Sequence, residues 1–294
     1  MRFSVVIPTF GRPALLEETL ESLYACDPLP DEILVVDGHP GLQAQEVVAR
    51  FAARPAPPIL RYISSEPSAT RQRNIGIDAA AGDVIVFADD DVRFEGDVFA
   101  VLTEAYRDPS VVGATGKIVE PGSRRIGGKQ SLARRLLFAG GTEGSFTRFG
   151  YPRYVQDPDR ATDVEVMQGA FMSARRDDAA AVRFDEHLGG YALAEDEDFS
   201  YRLSRRGIIR YLPQAVVFHW QTGFASQDQR AFGRKVVVNR AYLFRKNFPG
   251  TLLARAQFAL LILLLIAHRV VNREWAGALG LIEGCVRISR KQDL

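Results

Sequence analysis

Four short apolar runs lie between Phe3 and Ala88: FSVVIP (Phe3–Pro8), EILVVD (Glu32–Asp37), ILRYI (Ile59–Ile63) and VIVFA (Val84–Ala88). The first two, bounded by turn formers, read as buried strands, and Ile59–Ile63 and Val84–Ala88 are strand-like. The segments between them change period. Ala14–Ala25 places Leu15, Leu16, Thr19, Leu20 and Leu23 at helical spacing, Gln43–Ala53 follows the same rule, and Ala69–Ala81 does so until Gly82 stops it. Apolar strands alternating with amphipathic helices predict an α/β unit with a mainly parallel sheet flanked by helices. Ligands of such sheets bind outside the carboxyl ends of the strands. The residues there are Pro8-Thr9-Phe10-Gly11-Arg12, then Asp37, then Asp89-Asp90-Asp91, a polar crevice of acids, a base and turn formers.

With 294 residues, 47% of them hydrophobic, the chain can bury a core without disulfides or a structural metal. The formal net charge of +1 gives no reason to expect a nucleic-acid partner. Cys26 and Cys285 stand far apart, with no metal-binding spacing and no disulfide framework, as suits a reducing compartment. The apolar stretch Phe3–Ile7 is too short for a signal core and ends at Pro8, so no secretion signal is expected.

Gly116–Tyr154 loses periodicity and is rich in Gly, Arg and Lys, including Arg124, Arg125, Lys129, Arg134, Arg135, Arg148 and Arg153. It reads as a long basic loop region with a short helix near Leu132–Phe138. A second compact half, about Asp163–Phe224, holds a helix over Glu195–Arg206 closed by Gly207, and strands around Ile208–Leu212 and Ala215–His219. From about Gln227 onward the chain reads as helical.

The run FADDDV (Phe87–Val92) follows a buried strand with three aspartates. Like charges so close repel, or shift their pKa values upward, unless a cation is shared. The first and third, Asp89 and Asp91, can reach one Mg²⁺ or Mn²⁺ whose shell phosphate oxygens complete. The alternative is a solvated acidic turn. A second cluster, Glu195-Asp196-Glu197-Asp198, opens a helix. The helix dipole favours acids there, but four exceed what capping needs, and a carboxylate at this place can take a proton from an attacking hydroxyl. His219 ends the run VVFH beside Trp220, as a metal ligand or a packed residue. Arg71 and Arg73 can neutralise a diphosphate, or they mark an exposed helical face.

FSVVIPTFGRPALLEETLESL, EILVVDG, RNIGIDAAAGDVIVFADDDV, GAFMSARR, FDEHLGGY and EDEDFSYRLSRRG occur in this order. As an ordered set over about residues 3 to 220 they resemble the family 2 glycosyltransferases, inverting enzymes of the GT-A fold. The resemblance implies a nucleotide-sugar-binding half over 1–115 and an acceptor-binding and catalytic half over 116–225, and the helical pattern beyond gives a C-terminal helical, membrane-associating appendage over 226–294. It implies that Pro8, Thr9, Phe10 and Arg12 line the nucleotide pocket and that Asp37 meets the base. Asp89-Asp90-Asp91 would be the DxD-type motif, its acids on the metal and, for Asp90, on the ribose. Asp196 would be the catalytic base, and His219 the late histidine that completes the metal site. Many relatives read Asp-Asp-Gly-Ser where this chain has Val36-Asp37-Gly38-His39, so one acid of that pair is kept. The donor expected is a UDP-, dTDP- or GDP-sugar, and the acceptor is a glycan or a lipid-linked molecule. The oligomeric state stays open.

FALLILLLIA (Phe258–Ala267) is strongly apolar, with Arg230, Arg234, Lys235, Arg240, Arg245 and Lys246 upstream. A run of ten falls short of the roughly 20 residues that span a bilayer. It suits an interfacial or re-entrant helix on an anionic membrane surface at the cytoplasmic face, or a helix packed on protein. Three rival readings are a sugar-phosphate nucleotidyltransferase, a metal-dependent phosphatase and a non-catalytic sugar-binding scaffold. PTFGRP is a poor phosphate loop for the first. Asp89-Asp90-Asp91-Val92-Arg93 lacks the Thr expected of the second. Intact acids at both clusters speak against the third.

Overall fold

The computed structural model describes residues 1–55, 58–121, 141–155, 160–188, 193–220 and 228–290. The short helix expected near 132–138, and Arg124, Arg125, Lys129, Arg134 and Arg135 of the basic stretch, lie outside the described residues. The chain forms two compact units, one of residues 1–123 and 154–222, the other of residues 124–153 and 223–294.

The first unit is built on one mixed sheet. In chain order its elements are β1 (Phe3–Thr9), α1 (Pro13–Tyr24), β2 (Glu32–Asp37), α2 (Gln43–Ala52), β3 (Ile59–Ser64), α3 (Ala69–Ala79), β4 (Val84–Ala88) and β5 (Val92–Phe94). Then come α4 (Val98–Ala105), β6 (Val111–Val119), β7 (Thr162–Val164), β8 (Phe171–Arg175), α5 (Arg176–Val182), α6 (Glu195–Ser204) and β9 (Ile208–His219). The strand order is β3-β2-β1-β4-β8-β6-β9-β5, with β7 also on β9. β3, β2, β1 and β4 run parallel, as the alternation of strands and helices predicts. β8 enters antiparallel between β4 and β6.

Strand periodicity divides the core in two. Val5, Ile7, Ile33, Val35, Val84 and Val86 point to one face, where they meet Leu16, Leu20 and Leu23 of α1 and Phe99 of α4. Val6, Leu34, Val36, Ile85 and Phe87 point to the other and meet Ile77 of α3 and Phe199 and Leu203 of α6. Helix α3 lies so close to β1 that a Cβ on Gly76 would stand 2.2 Å from Cγ1 of Val6. Glycine is the residue that lets α3 press its first turns toward the strand ends.

The structure departs from the sequence reading at β9. Two strands were expected, over Ile208–Leu212 and Ala215–His219. One strand of 12 residues runs through both, Pro213 included. Against β6 the register passes from Gly116↔Leu212 to Lys117↔Val216, so the ladder skips Pro213, Gln214 and Ala215. An irregularity is where a residue without an N–H fits inside a sheet. The short β5 runs antiparallel to β9 and sets Val92 opposite His219.

In the second unit, residues 141–153 form turns joined by an isolated bridge between Phe146 and Pro152, and residues 228–290 are mainly helical. Its helices are α7 (Gln229–Asn247), α8 (Leu252–Val271) and α9 (Trp275–Ser289). Asp228 caps α7 by accepting from the N–H groups of Arg230 and Ala231 at 2.9 and 3.2 Å. Thr251 caps α8 by accepting from Ala254 N–H at 3.2 Å. Phe149, Phe244, Ala254 and Leu261 make one buried cluster, and Val237, Ile262 and Leu281 another. The apolar run Phe258–Ala267 thus belongs to a helix of 20 residues. This corrects the estimate from the run alone: by length and composition α8 is long and apolar enough to cross a membrane, because helical residues on both sides of the run extend it.

Candidate active site

β1, β2 and β4 lie side by side and end together, and their last residues build the crevice expected of such a sheet. Thr9 pairs in register with Asp37. The Asp37 carboxylate accepts from His39 N–H at 2.9 Å and from the Tyr62 hydroxyl at 3.2 Å. Gln72, buried on α3, ties the two strand ends together by donating to the carbonyls of Thr9 and Val36 at 2.9 and 2.7 Å. Gly11 takes φ +63°, the left-handed turn that carries the chain from β1 into α1. Phe10 beside it is exposed, its ring edge-on to His39 at 5.1 Å. Pro8 is the sixth residue of β1 and is buried within it.

The three aspartates after β4 have three different environments. Asp90 is fully buried. Its carboxylate accepts from Thr9 Oγ1 at 2.6 Å and from Arg12 Nε at 3.1 Å, and its carbonyl accepts from Thr19 Oγ1 at 2.8 Å. Burial drives its carboxyl up to about 7, even though Arg12 and Thr9 pull the other way. Asp91 accepts from Arg12 Nη1 at 3.1 Å and lies 3.3 Å from Nε2 of His219. Asp89 accepts from Arg73 Nη2 at 2.9 Å, and burial shifts its carboxyl upward.

The pairing of β5 with β9 delivers His219 to this cluster. One ligand atom each from Asp89, Asp91 and His219 lie within 4.8 Å of one another. Burial works against the imidazolium of His219, but the carboxylates of Asp91, Asp89 and Glu120 outweigh it and raise its pKa. Glu120 stands 3.8 Å from Nδ1 of the same ring. Two carboxylates and an imidazole suit Mg²⁺ or Mn²⁺. The residues therefore fit a divalent ion.

Helix α6 presents the second acidic cluster, and its four acids divide their work. Glu195 accepts from Arg73 Nη1 at 2.8 Å. Asp198 is held by Arg202 Nε and Nη2 at 2.9 and 2.6 Å. Glu197 accepts from the Tyr154 hydroxyl at 3.3 Å. Among the described residues, Asp196 has no ion-pair partner of its own. Its two oxygens accept from the backbone N–H groups of Gly169 and Glu197, at 2.9 and 2.8 Å. Burial, together with the neighbouring Glu195 and Glu197, pushes its carboxyl up to about 8. A carboxylate held this way is oriented by neutral donors and keeps its affinity for a proton. Ala194, which starts the helix, takes φ +68°, a left-handed conformation that is costly for alanine.

The two arginines of α3 part company. Arg73 is 3% exposed and bridges Asp89, at the end of β4, to Glu195, at the start of α6. Arg71 is exposed and pairs with Glu186 at 3.3 Å. Only Arg71 matches the exposed helical face left open by the sequence. Sequence reasoning missed Arg73 as a bridge, Thr19 beneath Asp90, and Glu120 behind His219. None of these has a local signal, because each depends on which strands become neighbours.

The family model for glycosyl transferase family 2 matches residues 4–181, and the chain belongs to that family. Its fold is of the GT-A type. Among solved structures, TarS of S. aureus is similar at 16% identity, with a TM-score of 0.58, over 92% of this chain and 44% of that one. A crystal structure of S. aureus TarS 1–349 in complex with UDP is similar at 17% identity and a TM-score of 0.54, over 83% and 68% of the two chains. GalNAc-T7 with UDP, GalNAc and Mn²⁺ is similar at 17% identity and a TM-score of 0.58, over 81% and 48%. At these identities the likeness is one of fold, and this chain spans less than half the length of the TarS chain it first matches. Among curated proteins no sequence match is found. Neither a nucleotidyltransferase, nor a phosphatase, nor a scaffold is favoured by these findings. Asp196 and His219 lie beyond the matched residues, so their place in the site rests on geometry.

Proposed function

We propose that the chain transfers a sugar, with inversion, from a nucleoside-diphosphate sugar to an acceptor hydroxyl, in the assembly of a cell-surface glycan or polysaccharide. The observation that carries this reading is the meeting of Asp89, Asp91 and His219 at the ends of β4 and β9. These three would hold a divalent ion, which supplies positive charge to the leaving diphosphate. The nucleotide lies along the ends of β1 and β2, with Asp37 beside its base and Asp90, gripped by Thr9 and Arg12, beside its ribose. Pro8 and Phe10 shape the wall of that pocket. Arg12 already lies against Asp90 and Asp91 and is the cation we assign to the diphosphate. Arg71 can reach toward the same charge. Arg73 works from below, holding Asp89 and Glu195 in place.

Asp196 takes the proton of the acceptor hydroxyl. The backbone donors at Gly169 and Glu197 fix the direction of its lone pairs. The oxygen so activated attacks the anomeric carbon opposite the departing diphosphate, and no covalent sugar–enzyme intermediate is needed. UDP in two of the similar structures, and Mn²⁺ in one, favour a uridine donor and manganese as the first trial. We place the chain at the cytoplasmic face of the plasma membrane, acting on a lipid-linked acceptor, because α8 is apolar and little buried.

The test is release of nucleoside diphosphate from UDP-, dTDP- and GDP-sugars with Mn²⁺ or Mg²⁺. Release from one donor class, abolished by chelator and restored by the metal, is expected. Equal release with and without chelator would overturn the metal assignment, and release from none would overturn the donor reading.

A further inference from the structure

Helix α9 is built inside out. The side buried in its unit carries Gly277, Gly280 and Gly284 with Leu281, while Trp275, Leu279, Ile282 and Val286 face outward at intervals of three and four residues. The glycines let backbones touch: a Cβ on Gly280 would lie 2.1 Å from the Arg230 carbonyl oxygen, and one on Gly284 2.9 Å from that of Arg234. Helix α8 also turns large apolar residues outward, although it keeps large ones inside as well. Ala254, Leu261 and Ile262 are inside, and Leu252, Leu260, Leu263 and Val271 are outside. Leu263 and Trp275 are each 63% exposed and Val271 80%. Helices facing water carry their large apolar residues inward. Small residues inside and large ones outside is the plan of helices packed within an apolar solvent.

The charges at the helix ends select the solvent. Glu274 and Glu283, the two acids on this pair, are both engaged, with Arg269 at 2.5 Å and with Arg230 and Arg234. Arg255, Arg273 and Arg290 stand exposed at the ends of the helices. A second copy on this face would bring arginine against arginine, whereas anionic headgroups complement it. Trp275, at the start of α9, is the residue type that settles at a membrane–water boundary.

We infer that the outer stripes of α8 and α9 together form a lipid-docking face that lies in the plane of an anionic bilayer. Although α8 is long enough to cross, its inner face shares a core with Val237 and Phe244 of α7. A crossing would draw the α7 charges, Arg234, Lys235, Arg240, Arg245 and Lys246, toward hydrocarbon. Lying flat keeps them in water and buries only the stripes. This deepens the membrane placement proposed above and does not depend on the catalytic reading.

The experiment is flotation of the full chain with phosphatidylcholine vesicles, with and without phosphatidylglycerol. Flotation is expected with the anionic vesicles, weakened by salt, and the bound chain should come off in alkaline carbonate without detergent. Leu263→Glu on α8 and Ile282→Glu on α9, both at exposed positions, are each expected to lower bound protein by about tenfold or more, with unfolding midpoint and nucleotide-sugar hydrolysis unchanged. Brominated acyl chains should quench tryptophan fluorescence, and Trp275→Phe should remove that quenching while Trp220 still emits. Binding unaffected by Ile282→Glu, or release only by detergent, would overturn the in-plane two-helix face. A vesicle-free dimer split by both substitutions would assign it to a second copy instead.

Discussion

Asp196 and Asp198 sit two residues apart on one helix and have opposite surroundings. Asp198 is neutralised by Arg202, whereas Asp196 is held by peptide N–H groups and crowded by Glu195 and Glu197. The base must be ionised to accept a proton, and its carboxyl is shifted up. The rate should therefore rise with pH through a limb above the usual aspartate value of about 3.9 and level off once Asp196 is ionised. Asp196→Asn should lose about a hundredfold or more in kcat, keep donor binding, and lose that limb. A limb that survives in Asp196→Asn, or a larger loss in Asp198→Asn, would move the role to another carboxylate. Four acids in a row were visible in the sequence. Which of them is held by peptide N–H groups was not, because the partners Arg202 and Arg73 are chosen by helical phase and by the packing of α3 against the start of α6.

The parallel half of the sheet was legible element by element, since β1, β2 and β4 are continuous buried runs and β3, the half-exposed edge strand, still keeps strand-like apolar residues. β5 was not. Val92-Arg93-Phe94 is too short to announce itself and exists through its pairing with β9, the same pairing that carries His219 to Asp91. β9 itself looked like two strands, because Pro213 reads as a break until β6 accommodates it with a skipped register. The contact of α3 with β1 gives a stability test at this scale. Gly76→Ala places a methyl inside Val6, and a loss of about 1–3 kcal/mol is expected in denaturant unfolding. Adding Val6→Ala should recover part of that loss, as coupled neighbours do. Gly76→Ala at parent stability would mean that α3 does not press on β1 as described.

At the scale of the molecule, the sequence motifs of the site fall in the first unit, while α7 to α9 of the second carry apolar outer residues and basic ends. The net charge of +1 conceals this, since residues 228–290 hold eleven arginines and lysines against three acids, Asp228, Glu274 and Glu283. The central claim remains the crevice at the ends of β1, β2, β4 and β9. It is tested most directly by anomalous diffraction at the manganese edge, from crystals grown with Mn²⁺ and the nucleoside diphosphate released in turnover. One manganese peak is predicted, touching Asp91 and His219, with the nucleotide's diphosphate on its open side and its base beside Asp37. A nucleotide bound elsewhere, or a manganese ion held by other residues while His219 still faces Asp91, would contradict the account.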